Sequence, residues 1–130
     1  MSEDKKVLIV DDDLNMHEFY SELFADHDVT YCTSGEDALV VLQKNETKYD
    51  LIYLDLELLG MSGFATFAAI KSLGIALPPV VVSSSLTDSE TQKTVKEMGA
   101  AAFVPKPINL QFAISVAHKL LHGQAPPTAQ

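Results

Sequence analysis

The sequence predicts one α/β domain built on a doubly wound, five-stranded parallel sheet with helices on both faces. Five short apolar runs, each bounded by turn residues, alternate along the chain with five segments whose apolar residues recur every three or four positions. Strict alternation of this kind makes neighbouring strands parallel and their crossovers right-handed. A chain of 130 residues, 47% of them hydrophobic, is long and apolar enough for one domain with a real core.

The first two strand–helix units are predicted within residues 5–45. Residues 5–10 form the first strand, and Asp13 is expected to cap the first helix. Residues 29–32 form the second strand, and Ser34 is expected to cap a second helix that ends near Asn45. The apolar positions predicted to face the sheet are Leu14, Met16, Phe19, Tyr20, Leu23 and Phe24 on the first helix, and Ala38, Leu39, Val41 and Leu42 on the second.

The third unit begins with the strongest apolar run before an acid. Residues 51–54 are predicted to be a fully buried strand, and Asp55 lies just past its end. Ser62 and Gly63 begin the third helix, and Gly74 closes it. Its predicted apolar positions are Phe64, Phe67, Ala68 and Ile70.

The last two units complete the alternation. Residues 80–82 form the fourth strand, and Thr87 and Glu90 are expected to form a capping box at the start of a fourth helix with few apolar residues. Residues 101–104 form the fifth strand, and Asn109 caps the fifth helix. The buried positions predicted on these helices are Val95 and Met98, then Leu110, Ala113, Ile114, Ala117, Leu120 and Leu121.

Composition excludes several classes of protein. The net charge is −9 and the chain has no arginine, which disfavours a nucleic-acid surface. No apolar run approaches the roughly 20 residues that span a bilayer, and no apolar segment follows a basic one at the start. We therefore expect a cytoplasmic protein. Cys32 has no partner for a disulfide and is expected in a buried strand, and residues 122–130 are expected to be a disordered tail or the start of a linker.

Charged and hydroxylic residues follow four of the predicted strands. Asp11 and Asp12 follow the first, Asp55 the third, Ser84 the fourth and Lys106 the fifth. The carboxyl ends of parallel strands share one edge of the sheet, so we expect these groups to converge. Three adjacent carboxylates repel one another and require a hard cation such as Mg²⁺, beside which Asp55 could act as a nucleophile toward a phosphoryl group. A lysine and a hydroxyl are groups that stabilise a transferring phosphoryl.

Four motifs give this spacing a family likeness. They are VDDD at residues 10–13, LDLELLGMSG at 54–63, VVVSSS at 80–85 and FVPKP at 103–107. In this order, each behind a strand, they closely resemble the receiver domain of response regulators in two-component signalling, the CheY-like fold. The resemblance covers nearly the whole chain and implies a receiver domain over residues 1–121, with a flavodoxin-like sheet of strand order 2-1-3-4-5.

The resemblance also assigns roles within the predicted site. It implies that Asp55 accepts a phosphoryl group from a phosphohistidine and that Asp11, Asp12, Asp55 and the backbone carbonyl of Glu57 hold Mg²⁺. Lys106 would pair with the phosphoryl, and its bond to Pro107 would be cis. The switch residues would be Ser84 and Phe103. Such a protein is not an enzyme toward other substrates, since it catalyses only its own aspartyl phosphorylation and dephosphorylation.

Partners follow from the same likeness. A sensor histidine kinase or phosphotransfer protein would dock mainly on the first helix, and an output domain or separate protein would receive the signal. A homodimer through the fourth helix, fifth strand and fifth helix is conceivable, although the arginines of the usual dimer face are absent. Glu57 and Ser85 depart from the common family pattern, as do Leu59 and Ser62, so the lifetime of the phosphorylated state is left open.

Other interpretations stay open at this point. The fold could serve as an interaction module that works without phosphorylation, or as a small phosphatase with an aspartate nucleophile, although phosphatases of that kind carry Asp-x-Asp after the first strand. A flavin site is disfavoured by the three aspartates after the first strand. Taken singly, Ser84 would be a turn hydroxyl, Lys106 a surface lysine and Phe103 a core residue. The four histidines are expected on the surface.

Overall fold

A computed structural model describes residues 5–127 of the chain. Its elements alternate as predicted: β1 (Lys6–Val10), α1 (Met16–Leu23), β2 (Asp28–Cys32), α2 (Gly35–Lys44), β3 (Leu51–Asp55), α3 (Gly63–Lys71), β4 (Val80–Ser84), α4 (Ser89–Glu97), β5 (Ala102–Pro105) and α5 (Leu110–Leu121). The strands form one parallel sheet in the order β2-β1-β3-β4-β5. The predicted fold class and strand order are confirmed.

Helices cover both faces of the sheet because its strands are apolar on both sides. Successive side chains of a strand point to opposite faces. Residues such as Ile52 and Leu54 pack under α2, α3 and α4, whereas Leu51 and Tyr53 pack under α1 and α5. Every residue of β3 and β4 is buried, as expected for central parallel strands. The carboxylate of Asp55 and the hydroxyls of Ser83 and Ser84 lie at the carboxyl ends of these strands.

Two of the predicted helix caps are confirmed. Ser34 accepts a hydrogen bond from the backbone N–H of Asp37, and Asn109 accepts one from Phe112. Ser62, which was expected only to begin the third helix, also caps it by accepting a hydrogen bond from the backbone N–H of Ala65. Asn45 ends α2 in the left-handed conformation, at φ 52°. These caps fix where α2, α3 and α5 begin or end relative to the sheet edge.

Two predicted caps are wrong. Helix α1 begins at Met16, and Asp13 instead accepts a hydrogen bond from the backbone N–H of Asn15 at 3.0 Å, a local turn that competes with capping. Helix α4 is capped by Asp88 and not by Thr87. The Asp88 carboxylate accepts from both the backbone N–H and the hydroxyl of Thr91, at 3.0 and 2.8 Å.

Apolar spacing predicted helices but not every buried position. Leu14, Leu110 and Ile114 are 66%, 50% and 45% exposed, so these three predictions of burial are wrong. Ala68 is exposed as well, while Thr66 and Val116 are buried in α3 and α5. The apolar stripe of each helix is wider than the face that meets the sheet, and spacing alone cannot choose between its two edges.

The remaining expectations have mixed outcomes. Cys32 is buried in β2 as predicted. His118 and His122 are exposed, but His27 is half-buried and so is His17, whose ring stacks on Tyr31 with centroids 4.3 Å apart.

The ends of the chain are only partly described. Residues 124–127, which follow the turn after α5, form no helix or strand, while residues 1–4 and 128–130 lie outside the described part. The predicted limits of the domain and of the tail therefore stay predictions. Between residues 5 and 127, no helix is both long and apolar enough to cross a membrane.

Candidate functional site

Three aspartates meet at the carboxyl edge of the two central strands. Asp11 and Asp12 directly follow β1, and Asp55 is the last residue of the adjacent β3, where Val10 pairs with Leu54. One carboxylate oxygen from each lies within 4.8 Å of the others. Asp11 is fully buried and Asp55 is 2% exposed, so water screens their mutual repulsion poorly. The convergence predicted from the strand ends is therefore present in the structure.

Asp55 is held on both of its oxygens. The backbone N–H of Glu57 donates to Oδ1 at 3.0 Å, and the Lys106 ammonium lies 3.1 Å from Oδ2. Burial raises the pKa of Asp55, and the Glu57 amide and Lys106 offset this only in part. Burial also acts to lower the pKa of Lys106, but the charge and hydrogen bond of Asp55 and the charges of Asp11 and Glu57 together outweigh burial, so that pKa is raised and the ammonium is kept.

The other two aspartates are anchored by different parts of the chain. Asp12 accepts a hydrogen bond from the backbone N–H of Leu59 at 2.8 Å, which ties the β1–α1 loop to the β3–α3 loop. Asp11 accepts one from the backbone N–H of Asp13 and one from the hydroxyl of Tyr20, both at 2.9 Å. Each carboxylate is thus oriented by donors outside the cluster while the cluster itself stays purely anionic.

Ser84 and Phe103 lie beside the acids on neighbouring strands. Ser84 ends β4 fully buried, and its Oγ accepts a hydrogen bond from the backbone N–H of Leu86 at 2.9 Å, within its own loop. Phe103 is half-buried in β5 and, with Val95 of α4, lines a cavity of about 520 Å³. The ring therefore has open space beside it. The Lys106–Pro107 bond is cis, as the resemblance implied.

Three features of the site were not predicted from the sequence. The hydroxyl of Tyr20 reaches Asp11, although the residue was expected only as part of an apolar face. The Glu57 carboxylate accepts hydrogen bonds from the backbone N–H of Ser85 at 2.8 Å and from its hydroxyl. Burial acts to raise the pKa of Glu57, but these bonds outweigh it and hold that pKa below its ordinary value.

Gly63 is the third unpredicted feature, since it does more than start a helix. A Cβ built on it would lie 2.5 Å from the carbonyl oxygen of Asp55 and 2.3 Å from the Cα of Leu56. Its own N–H donates to the Leu56 carbonyl at 3.0 Å. The start of α3 therefore packs directly against the backbone that carries Asp55. A glycine eight residues after the central aspartate is the only sequence signal, and it gives no hint of this distance.

Comparison with known proteins agrees with this arrangement. The family model of the response regulator receiver domain matches residues 7–117. Over 109 residues the chain is 32% identical to a protein-glutamate methylesterase/protein-glutamine glutaminase of Nocardioides sp. (strain ATCC BAA-499 / JS614), covering 81% of this chain and 30% of that protein. It is 31% identical to the transcriptional regulatory protein ZraR of Escherichia coli (strain K12), covering 90% of this chain and 27% of that protein.

A solved structure shows the same fold over nearly its whole length. The chemotaxis protein CheY4 of Vibrio cholerae superimposes with a TM-score of 0.78 at 25% sequence identity, covering 91% of this chain and 99% of that chain. The chain spans less than a third of the length of the two curated relatives above. With a family model matched over most of its length and the strand order expected of that fold, the chain belongs to the response regulator receiver domain family.

Proposed function

We propose that this receiver domain is a phosphorylation-dependent signalling switch whose phosphoacceptor is Asp55. The observation that carries the proposal is the cluster of Asp11, Asp12 and Asp55 within 4.8 Å, with the Lys106 ammonium 3.1 Å from the Asp55 carboxylate. The phosphoryl donor is the phosphohistidine of a sensor histidine kinase or of a phosphotransfer protein, the partner class that the family implies. The docking surface for that donor is the first helix, around residues 14–24.

Mg²⁺ fits the acids at this site. All donors are oxygens, the charge is concentrated and partly buried, and the family pattern adds the backbone carbonyl of Glu57 as a further ligand. When bound, Mg²⁺ supplies positive charge that offsets the three carboxylates and the incoming phosphoryl oxygens. The residues that would hold it are Asp11, Asp12 and Asp55, together with the backbone carbonyl of Glu57.

The chain's own groups perform the remaining tasks of the transfer. An Asp55 oxygen forms a bond to phosphorus while the bond between phosphorus and the donor imidazole breaks, and the imidazole nitrogen keeps the electron pair. The Glu57 amide orients the Asp55 carboxylate before this step. Lys106, already beside that carboxylate, pairs with a phosphoryl oxygen as negative charge spreads over the group. The domain thus catalyses only its own phosphorylation and dephosphorylation.

Ser84 and Phe103 carry the change outward. The Ser84 hydroxyl, whose oxygen accepts a hydrogen bond from the Leu86 amide, turns to donate to a phosphoryl oxygen, and the β4–α4 loop moves with it. Phe103 then turns into the cavity that it shares with Val95. Because Val95 is the single fully buried residue of α4, this helix is poised to shift with the ring.

The signal then passes to an output domain or to a separate protein, in the cytoplasm. The two curated relatives are named as a methylesterase/glutaminase and a transcriptional regulatory protein, and both are far longer than this chain. With a net charge of −9 and no arginine, the domain itself is not expected to bind nucleic acid. Homodimerisation through α4, β5 and α5 stays a prediction without a supporting contact.

The test is intact mass after incubation with acetyl phosphate and MgCl₂. Wild type should gain one phosphoryl group, Asp55→Asn should gain none, and excess EDTA should abolish the gain. Asp13→Asn is the matched control, because Asp13 is an exposed aspartate two residues from Asp11 that is not part of the cluster. It should be phosphorylated like wild type. A folded wild type that gains no mass would refute the switch and leave an interaction module.

A further inference from the structure

The side chain of Tyr20 connects the packed interior of the domain to the acidic site. Tyr20 is fully buried on α1, and its hydroxyl donates to Oδ2 of Asp11 at 2.9 Å. Asp11 is itself fully buried, so this hydrogen bond lies in a region of low dielectric where it is stronger than at the surface. A buried tyrosine hydroxyl in an apolar cluster needs a partner, and a buried carboxylate needs donors.

Packing fixes where that hydroxyl lies. The Tyr20 ring meets Phe19 edge-on at 5.5 Å and Tyr53 edge-on at 5.1 Å between centroids. The same cluster includes Phe24 and residues of α5, all buried. A ring held on several sides presents its hydroxyl at one position, so it holds the Asp11 carboxylate in one orientation.

The two oxygens of the Asp11 carboxylate are held by different donors. With the Asp13 amide on Oδ1 and the Tyr20 hydroxyl on Oδ2, each Asp11 oxygen has one donor and keeps its other lone pair for a cation. This is the arrangement in which an outer residue orients a metal ligand, where loss of the outer group typically costs about 10–100-fold in metal affinity.

We propose that Tyr20 is a positioning residue for the divalent-cation site, acting through Asp11. The inference rests on the proposed function, since it assumes that Asp11 holds Mg²⁺. It adds a residue of α1 that lies outside the acidic cluster to the determinants of cation affinity. The proposed effect on Asp11 comes from the hydroxyl of Tyr20 alone, so the Tyr20→Phe variant removes that effect and keeps the ring.

The experiment is a titration of ¹⁵N-labelled protein with MgCl₂, followed by the backbone amide shifts of Asp13 and Glu57. Tyr20→Phe keeps the ring and removes the hydroxyl, and it should raise the Kd for Mg²⁺ about tenfold. Tyr53→Phe is the matched control. It removes a hydroxyl from the same buried cluster, one that makes no hydrogen bond to the described carboxylates, and its Kd should stay within twofold of wild type.

A second measurement needs no variant. The Tyr20 hydroxyl proton, buried and hydrogen-bonded, should give a slowly exchanging signal in wild type that shifts along the same Mg²⁺ titration curve as the amides. A Tyr20→Phe protein that binds Mg²⁺ within twofold of wild type would overturn the proposal, as would a hydroxyl signal that does not respond. If the amides of wild type show no saturable shift with MgCl₂, the cation site of the proposed function is refuted. If wild type binds Mg²⁺ and Tyr20→Phe binds it equally well, only the role of Tyr20 is refuted.

Discussion

Gly63→Ala is the substitution that most directly tests how the Asp55 backbone is positioned. The added Cβ would lie 2.3 Å from the Leu56 Cα, about 1 Å closer than the 3.4 Å at which ordinary van der Waals contact begins. It would also lie 2.5 Å from the Asp55 carbonyl oxygen. Both neighbours are backbone atoms, which cannot rotate away as a side chain can. Either the start of α3 or the strand end that carries Asp55 must therefore move by about that distance.

The size of the effect follows from this displacement. Overpacking a tight site costs about 1–3 kcal/mol of the free energy of unfolding, and we expect the upper half of that range because backbone must give way. A reacting group misplaced by about 1 Å can lose roughly 100-fold in rate. We therefore expect Gly63→Ala to lower the initial rate of phosphorylation by acetyl phosphate by far more than its loss of folded protein would explain.

The assay pairs urea unfolding with the rate of phosphoryl gain by intact mass. Ala68→Gly, an exposed change in the same helix, is the matched control, since it should cost about 1 kcal/mol through helix propensity and leave the rate unchanged. A Gly63→Ala protein that has a free energy of unfolding within about 0.5 kcal/mol of wild type and is phosphorylated at the wild-type rate would refute this reasoning. A difference that small is below the usual costs of overpacking, and it would mean that the close approach of Gly63 does not constrain the site.

Three further predictions concern the charges. Without divalent cation, Asp55→Asn should be more stable than wild type at neutral pH. Burial raises the pKa of Asp55 in the folded protein above its ordinary 3.8, so wild type loses stability as the pH rises from 3.8 through that raised pKa. In urea unfolding at a series of pH values, the difference in stability between Asp55→Asn and wild type should therefore vanish in acid. MgCl₂ at a hundredfold excess over Kd should stabilise wild type by about 2.7 kcal/mol, reversibly with EDTA, and no shift of the urea midpoint would contradict cation binding. Ser85→Ala should raise the pKa of Glu57 toward its ordinary 4.5 in a ¹³C carboxyl titration, because the hydroxyl donor is lost while the backbone N–H at position 85 remains; an unchanged pKa would show that the hydroxyl contributes nothing.

Local chemistry made much of the fold predictable from the sequence. Ser34 and Asn109 were predicted as caps because a short polar side chain before an apolar period has few other uses. The prediction that Thr87 caps α4 was wrong because Asp88, one residue later, offers a carboxylate in place of a hydroxyl. The ends of β1 and β2 were predicted at the residue where the apolar run stops, but β4 continues through Ser83 and Ser84, because buried hydroxyls can still take part in a strand.

The sequence was enough to predict which residues converge at the site, but not which contacts hold them in place. Asp11, Asp55 and Lys106 each follow an apolar run, and topology brings such positions to one edge. The Tyr20 hydroxyl and the Gly63 backbone act across distances of a few ångströms that depend on how α1 and α3 pack. Spacing along a helix shows which residues share a face, but it does not show how close that face comes to a neighbouring loop.

The supports also explain why a change of charge at Asp55 should be felt at α4. The Glu57 amide donates to Asp55, and the Glu57 carboxylate accepts from Ser85, the residue that follows Ser84, the proposed switch residue. A phosphoryl group on Asp55 adds negative charge beside Glu57, which like-charge repulsion disfavours. Repulsion of Glu57 would loosen its bonds to Ser85 at the same moment as Ser84 is drawn toward the phosphoryl. Both effects act on the β4–α4 loop in the same direction, so the Glu57–Ser85 contact favours the resting loop only while Asp55 is unmodified. The coupling between the two contacts can be measured as the non-additivity of the effects of Ser84→Ala and Ser85→Ala.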